Sequence, residues 1–330
     1  MDSAHAVAPA VAVEMDEMLR HELLNRRERL ETARTLSFDP SFSQLLSEVD
    51  AALARFDNGT FGLCEECHDP IEPERLLADP LMRVCLGDLN ERQLRSLEND
   101  LELASEIQKA LLPRKDIAHD TWKVDYAYEP ANIVSGDYCD FVFENGSLHF
   151  VLGDVSGKGM AASLLMSNLH AMFHTMIPLG LPITEVMARA NSIFCESTLA
   201  NQYATLVYGK LDRSGNVEIT NAGHLPPVVI KNGVKGELDF AGLPLGMFSD
   251  TNFETSTVKL NSGDALVLFT DGVTETLDDD GQEFGSQRLF DALNCIEHQR
   301  LIPNCLEQID AFRGNAERHD DLTMLAIAYA

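Results

Sequence analysis

The chain is short of positive charge: across 330 residues, 25 Lys and Arg stand against 53 Asp and Glu, a formal net charge of −28. That balance argues against general binding to nucleic-acid phosphates or to an anionic membrane, because both need a basic patch and the sequence supplies none. Long apolar runs are also missing, with no stretch of about 18 apolar residues that could cross a bilayer. The apolar stretch Ala6 to Val13 has no Lys or Arg before it, contains Pro9 and is too short to span. Residues 1–13 are therefore expected to be a disordered N-terminus rather than a leader or anchor. Internal repeats, low-complexity tracts and a P-loop are absent too: Gly157-Lys158-Gly159 lacks Walker spacing and the Lys-Ser/Thr pair. An even set of cysteines is lacking, since there are seven, three of them in a metal-like pattern. A reducing cytoplasm fits that usage better than a disulfide framework. What is present is a 45% hydrophobic composition, enough for the core of a folded, soluble protein with room for two domains.

Apolar spacing divides the chain. Met15, Met18, Leu19, Leu23 and Leu30, then Leu45, Leu46, Val49 and Leu53, recur at helical intervals on either side of Ser37-Phe38-Asp39-Pro40-Ser41. This predicts a helical hairpin. A turn at Asn58-Gly59 leads into Cys64-Glu65-Glu66-Cys67, a knuckle that closes a region spanning 14–89. Over residues 90–113, Leu94, Leu97, Leu101, Ala104, Ile107 and Leu111 form a seam spaced by threes and fours, ended by Pro113. The seam suits a coiled-coil linker helix joining two copies of the chain; the alternative is packing onto its own C-terminal domain. From Val124 onward, strand signals alternate with hairpin turns at Glu144-Asn145-Gly146, Asp212 to Asn216 and Lys231-Asn232-Gly233. Helical stretches are expected near 159–176, 183–199, 285–297 and 302–314, all within a domain over 114–330.

Chemistry concentrates in short acidic motifs: Gly136-Asp137-Tyr138-Cys139-Asp140, Gly153-Asp154-Val155-Ser156-Gly157-Lys158-Gly159, Thr270-Asp271-Gly272 and His319-Asp320-Asp321-Leu322-Thr323. Most place aspartate beside a buried, β-favouring run, so the strand ends could converge on one rim of a sheet. Carboxylates crowded there repel by several kcal/mol unless cations sit among them. A hard divalent metal site removes the repulsion, because Mg²⁺ and Mn²⁺ prefer oxygen donors. A single Asp-Gly pair is usually a turn; the set together is not.

The order and wording of these motifs resemble the metal-dependent PPM (protein phosphatase 2C-like) Ser/Thr phosphatases, in their bacterial SpoIIE/RsbU-type branch. The resemblance covers roughly 100–330 and takes in Ala104 to Pro113, Asn221-Ala222-Gly223-His224 and Gly242-Leu243-Pro244-Leu245-Gly246. It implies an α+β fold, a β-sandwich flanked by helices, with two Mn²⁺ or Mg²⁺ ions between the sheets. By the same resemblance Asp154 bridges the metals and the Val155 carbonyl adds a ligand. Asp271 and Asp320 bind from the opposite sheet, Asp137 acts directly or through water, and Asp140 and Asp321 stand in an outer shell. Gly157 and Gly159 let the chain turn past the site. Lys158 is a candidate for phosphate binding, its alternative being a solvated lysine; His224 is either functional or turn-stabilising.

Cys64-x-x-Cys67 followed by Cys85-Leu86-Gly87-Asp88 has the spacing of a Cys₄ zinc ribbon with its last cysteine replaced by aspartate. With Ala54 to Gly62 and Pro70 to Leu76, it resembles the DksA/TraR-type zinc finger. One Zn²⁺ held by Cys64, Cys67, Cys85 and Asp88 is expected; a metal-free relic is the alternative. Three functions stay open. The first is a phosphatase acting on a phosphoserine or phosphothreonine of a regulatory phosphoprotein, which in this family is typically an anti-sigma-factor antagonist, under control of the N-terminal region. The second is an RNA-polymerase-associated zinc-finger regulator with the phosphatase as second output. The third is a non-catalytic scaffold.

Overall fold

The computed structural model describes residues 18–28, 30–31, 40–88, 91–114, 118–119, 121–198, 202–240, 242–294 and 300–329. They fall into two compact units, Met1–Asn99 and Asp100–Ala330. The expected disordered segment 1–13 and the hairpin break at 37–39 lie outside the described residues.

In the first unit, helix α1 (residues 18–28) runs antiparallel to α2 (Pro40–Asp57). The pairings fix the direction: Arg20 meets Asp57 at 3.2 Å and Arg27 meets Asp50 at 2.6 Å. Exposed ion pairs of this kind contribute only about 0.2–1 kcal/mol each. The apolar seam does more, with Leu23, Val49 and Ala52 buried together. Beyond the Asn58-Gly59 turn, α3 (Pro73–Ala78) starts on a proline and packs Leu76 with Leu19, Cys64 and Ile71. Helix α4 (Glu91–Leu111) contains the division between the units. Ser105 and Gln108 are buried on it, while Leu94, Leu103 and Ile107 remain exposed.

The second unit is a sandwich of two antiparallel sheets. One orders its strands β1 (Ala118–His119), β2 (Trp122–Glu129), β11 (Leu322–Tyr329), β10 (Ala265–Phe269), β7 (Val228–Lys231) and β8 (Val234–Glu237). The other runs β3 (Asp137–Glu144), β4 (Ser147–Val155), β5 (Ala204–Leu211), β6 (Asn216–Ala222) and β9 (Ser256–Lys259). Two of the expected hairpin turns hold consecutive positive φ angles, 51° and 78° at Asn145-Gly146 and 49° and 77° at Asn232-Gly233. Those are the values a two-residue turn of matching twist demands. Trp122, Phe141, Phe150, Leu152, Leu268 and Leu325 fill the space between the sheets. Helices α5 (Gly159–Met176) and α6 (Ile183–Ser197) cover the outer face of the five-stranded sheet. Helices α8 (Gly285–Ala292) and α9 (Leu301–Arg313) cover that of the six-stranded sheet. The helix near 285–297 ends at Ala292, and residues 295–299 lie outside the described set. Among the described residues no helix is long and apolar enough to cross a membrane.

Candidate metal centre

Strand direction brings the acidic motifs to one rim. β3 begins at Asp137 and β4 runs out through Asp154, and the antiparallel register sets these two residues opposite each other. In the other sheet β10 ends at Phe269, just before Thr270 and Asp271, while β11 starts at Leu322, just after Asp320 and Asp321; Phe269 pairs with Met324. Both pairs of ends therefore point the same way, and hydrogen bonds tie them across the sandwich. Thr270 donates to Asp137 Oδ2 at 2.9 Å and Thr323 donates to the same oxygen at 2.5 Å.

Each aspartate sits differently within that rim. Asp137 is only 1% exposed, and burial, then the Asp154 charge, push its carboxyl well above the usual range. The Asp154 carboxyl is pushed up to about 7, by burial first and then by Asp271, Asp320 and Asp321. Asp271 opens α7 (Asp271–Thr274) and is raised by burial and then by Asp320. Asp320 is more exposed and is met by Lys158 Nζ at 3.0 Å, which also donates to the His319 carbonyl at 2.8 Å. Asp321 turns back toward the chain, accepting the Ala131 N–H at 2.8 Å and the Gly136 N–H at 3.0 Å. It thus clamps the segment entering β3. Glycine is required beside it: a Cβ on Gly272 would lie 2.0 Å from the Asp321 carbonyl oxygen. Past Val155 the chain turns at Gly157 and Gly159, whose φ values of 98° and 71° few side chains tolerate.

The structure does not bring Asp140 to this rim. Successive residues of a strand face opposite sides, and three positions beyond Asp137 the carboxylate emerges toward α5. There it lies 2.6 Å from His174 Nε2 and 3.5 Å from His170 Nδ1. His224 is a buried connector between the sheets. Thr205 on β5 meets its Nδ1 at 2.8 Å, its Nε2 meets the Phe269 carbonyl of β10 at 3.1 Å, and burial lowers its pKa to about 4. It is a neutral imidazole bridging the sandwich. Sequence reasoning gave no role to Thr270 and Thr323, which aim Asp137, or to Glu275, raised by burial and then by Asp271. The place of both threonines within the aspartate motifs was the available signal.

The donor set fits hard divalent ions. Partly buried carboxylates that raise one another are stable as anions only when a cation joins them, and oxygen donors select Mg²⁺ or Mn²⁺. In the first unit the donors are softer. Cys64, Cys67 and Cys85 place their sulfurs within 4.8 Å of one another, with Cys67 and Cys85 at 3.6 Å. Zn–S bonds of about 2.3 Å in a tetrahedron set sulfurs about 3.8 Å apart, so three corners fit zinc. The backbone turn Leu86–Asp88 follows Cys85, but the side chain of Asp88, the expected fourth ligand, lies outside the described atoms.

Comparison with known proteins agrees with this geometry. Residues 144–330 match the family model described as Stage II sporulation protein E (SpoIIE). Residues 59–87 match that of the prokaryotic dksA/traR C4-type zinc finger. The chain is 26% identical over 238 residues to the phosphoserine phosphatase RsbU of Bacillus subtilis (strain 168), covering 71% of each protein. It is 31% identical over 186 residues to the phosphoserine phosphatase RsbP of the same organism, covering 54% of this chain and 46% of that one. Among solved structures, the SiaA-PP2C domain of Pseudomonas aeruginosa superposes with a TM-score of 0.61 at 22% identity, over 72% of this chain and 98% of that one. The shared feature there is the fold.

Proposed function

The chain belongs to the SpoIIE family of PPM-type protein phosphatases, and on that premise we propose that it hydrolyses phosphoserine or phosphothreonine on a regulatory phosphoprotein of the anti-sigma-factor-antagonist kind. The observation that carries this reading is the register pairing of Asp137 with Asp154, beneath a rim that also holds Asp271 and Asp320. In this proposal those four carboxylates and the Val155 carbonyl hold two Mn²⁺ or Mg²⁺ ions. When bound, such ions neutralise phosphoryl oxygens and acidify a water to near neutrality.

The remaining work falls to the protein's own groups. Thr270 and Thr323 fix the Asp137 carboxylate, and Asp321 holds the approach to β3 so that Asp137 and Asp154 stay opposite. Lys158 compensates the charge of Asp320 and is the candidate phosphate ligand. Beside it opens a cleft of about 210 Å³ lined by Lys158, Gly272, Glu275, Thr276, Glu317 and Asp320. That volume suits one phosphorylated side chain better than a large cofactor. A scaffold without catalysis would gain nothing from carboxylates that repel one another in a buried rim.

Control by the N-terminal region enters through α4. Gln108 donates to the Ser135 carbonyl at 2.7 Å and accepts the Ser135 N–H at 3.0 Å, while the Ser135 hydroxyl accepts the Asp137 N–H at 3.0 Å. A shift of α4 therefore has a short route to a metal aspartate. In this reading the half-buried seam of α4 pairs two chains, the knuckle holds one Zn²⁺, and the protein works in the cytoplasm without contacting nucleic acid or membrane. The test is phosphate release from a phosphorylated antagonist with Mn²⁺ or Mg²⁺. The expected result is turnover that chelator abolishes; absence of turnover on every phosphoprotein tried, with metal bound, overturns the reading.

A further inference from the structure

Helix α5 carries His170 and His174 four residues apart, so both imidazoles leave the same face of the helix. That face meets Asp140 of β3. The Asp140 carboxylate is buried and already oriented: Oδ1 accepts the Phe141 N–H at 2.8 Å, and the Tyr138 hydroxyl donates to Oδ2 at 3.1 Å. One ligand atom from each of Asp140, His170 and His174 lies within 4.8 Å of the other two. His170 Nδ1 is buried yet makes no hydrogen bond, although it stands 3.5 Å from Oδ2. The two rings lie 4.1 Å apart between centroids, inclined at 37°.

We propose that Asp140, His170 and His174 form a third metal site, separate from both the aspartate rim and the cysteine knuckle, that takes a borderline transition metal, Zn²⁺ first. Two imidazole nitrogens and one carboxylate oxygen are a donor set that zinc accepts, with water as the fourth ligand. Metal–ligand bonds of about 2.0–2.1 Å at tetrahedral angles separate ligand atoms by about 3.3 Å. The His170 nitrogen already stands near that spacing from Oδ2. The His174 nitrogen, now 2.6 Å away in a hydrogen bond, needs to open by about 0.7 Å when a metal replaces the shared proton, and its side chain is 45% exposed and has the room. Burial of the carboxylate and its contacts with Phe141 and Tyr138 are the supporting hydrogen bonds that metal ligands use to stay aimed.

The site would pin α5 to β3. β3 carries Asp137, and α5 starts at Gly159, directly after the turn that follows Asp154 and Val155. A metal at Asp140 thus ties together the two elements that flank the rim, without touching it. Neither the hydrogen-bonded cluster alone nor the phosphatase reading requires this, so the two stand or fall separately.

The experiment counts zinc. Full-length protein is stripped of metal, its aspartate rim is saturated with excess Mg²⁺, and Zn²⁺ is titrated with detection by elemental analysis after gel filtration. The comparison is with His170→Ala and with His174→Gln, which keeps an N–H donor for Asp140 and so preserves the packing. The expected result is one zinc fewer per chain in each variant than in the wild type, with affinity at this site weakened more than about 100-fold. Zn²⁺ should also shift the ring resonances of His170 and His174 in the wild-type protein. Equal zinc uptake by wild type and both variants, or unshifted ring resonances at saturating zinc, overturns the proposal and leaves a proton-sharing cluster.

Discussion

Asp137 and Asp140 sit three residues apart on the same strand and are both almost fully buried, at 1% and 2% exposed, yet their surroundings are opposite. Asp137 faces the gap between the sheets, where burial and then the Asp154 charge hold its carboxyl well above the usual range. Asp140 faces α5, where burial, which raises its carboxyl, is outweighed by the His174 hydrogen bond and the neighbouring His170 imidazole, and the carboxyl stands below that range. Burial alone therefore does not decide the charge of an aspartate. The sign of its neighbours does, and the pleat of the strand chooses the neighbours.

The largest expected effect comes from the rim. Asp154→Asn or Asp271→Asn removes a charged ligand and should cut phosphatase turnover by roughly 100-fold or more, while the metal-free fold becomes more stable because a repelling carboxylate is gone. Kinetics at saturating metal, with melting in chelator, check both halves; near-normal turnover in either variant would break the assignment. Next in size is the knuckle. Cys67→Ser should lose one zinc per chain by elemental analysis and lower the stability of the unit containing α1 and α2. Unchanged zinc content there would favour a metal-free relic.

Coupling through α4 should be smaller. Gln108→Ala removes both bonds to Ser135 and should change specific activity by about 5- to 150-fold, the range of couplings of about 1–3 kcal/mol. Leu97→Glu with Leu101→Glu should give monomers with altered activity by gel filtration and kinetics. Unchanged kinetics in both would reduce α4 to a tether.

The smallest effect, and the sharpest for the comparison, is on pH. The Asp154 carboxyl, ordinarily near 3.8, stands at about 7 in the folded chain. Between those values the native state holds more protons than the unfolded one, so metal-free stability should fall as pH rises from about 4 to 7 and level off above. Asp140 has the contrary sign: depressed in the fold, it contributes stability above the unfolded value that is lost as pH falls through the folded one. Its partner His174 is raised by the Asp140 hydrogen bond, so that contribution is full below about 6.5 and is lost as pH rises through the folded value. Melting curves of metal-free protein across pH, for Asp154→Asn and Asp140→Asn, should lose opposite slopes on the acid side. Parallel curves would mean that the two faces of β3 do not differ as described.

Much of this was readable along the chain, because it depends on local order. Apolar runs bordered by motif aspartates marked β4, β10 and β11, Asn-Gly pairs marked two hairpins, and the motif wording carried the family and the two-metal expectation. The knuckle's cysteine spacing was legible for the same reason. What the sequence could not decide was partnership across distance. The resemblance put both aspartates of Asp-Tyr-Cys-Asp near the rim, residue 140 in its outer shell, and only the packing of α5 against β3 gives residue 140 two histidines at least 30 positions away. The Asp320 carboxylate that meets Lys158 came into view only with the fold, and Thr270, Thr323 and Gln108 gained their roles only when the two sheets closed and α4 docked. A sequence determines which residues a strand offers to each side; the tertiary structure determines what waits there, because buried charge takes its state from contacts made by chain segments that the sequence keeps far apart.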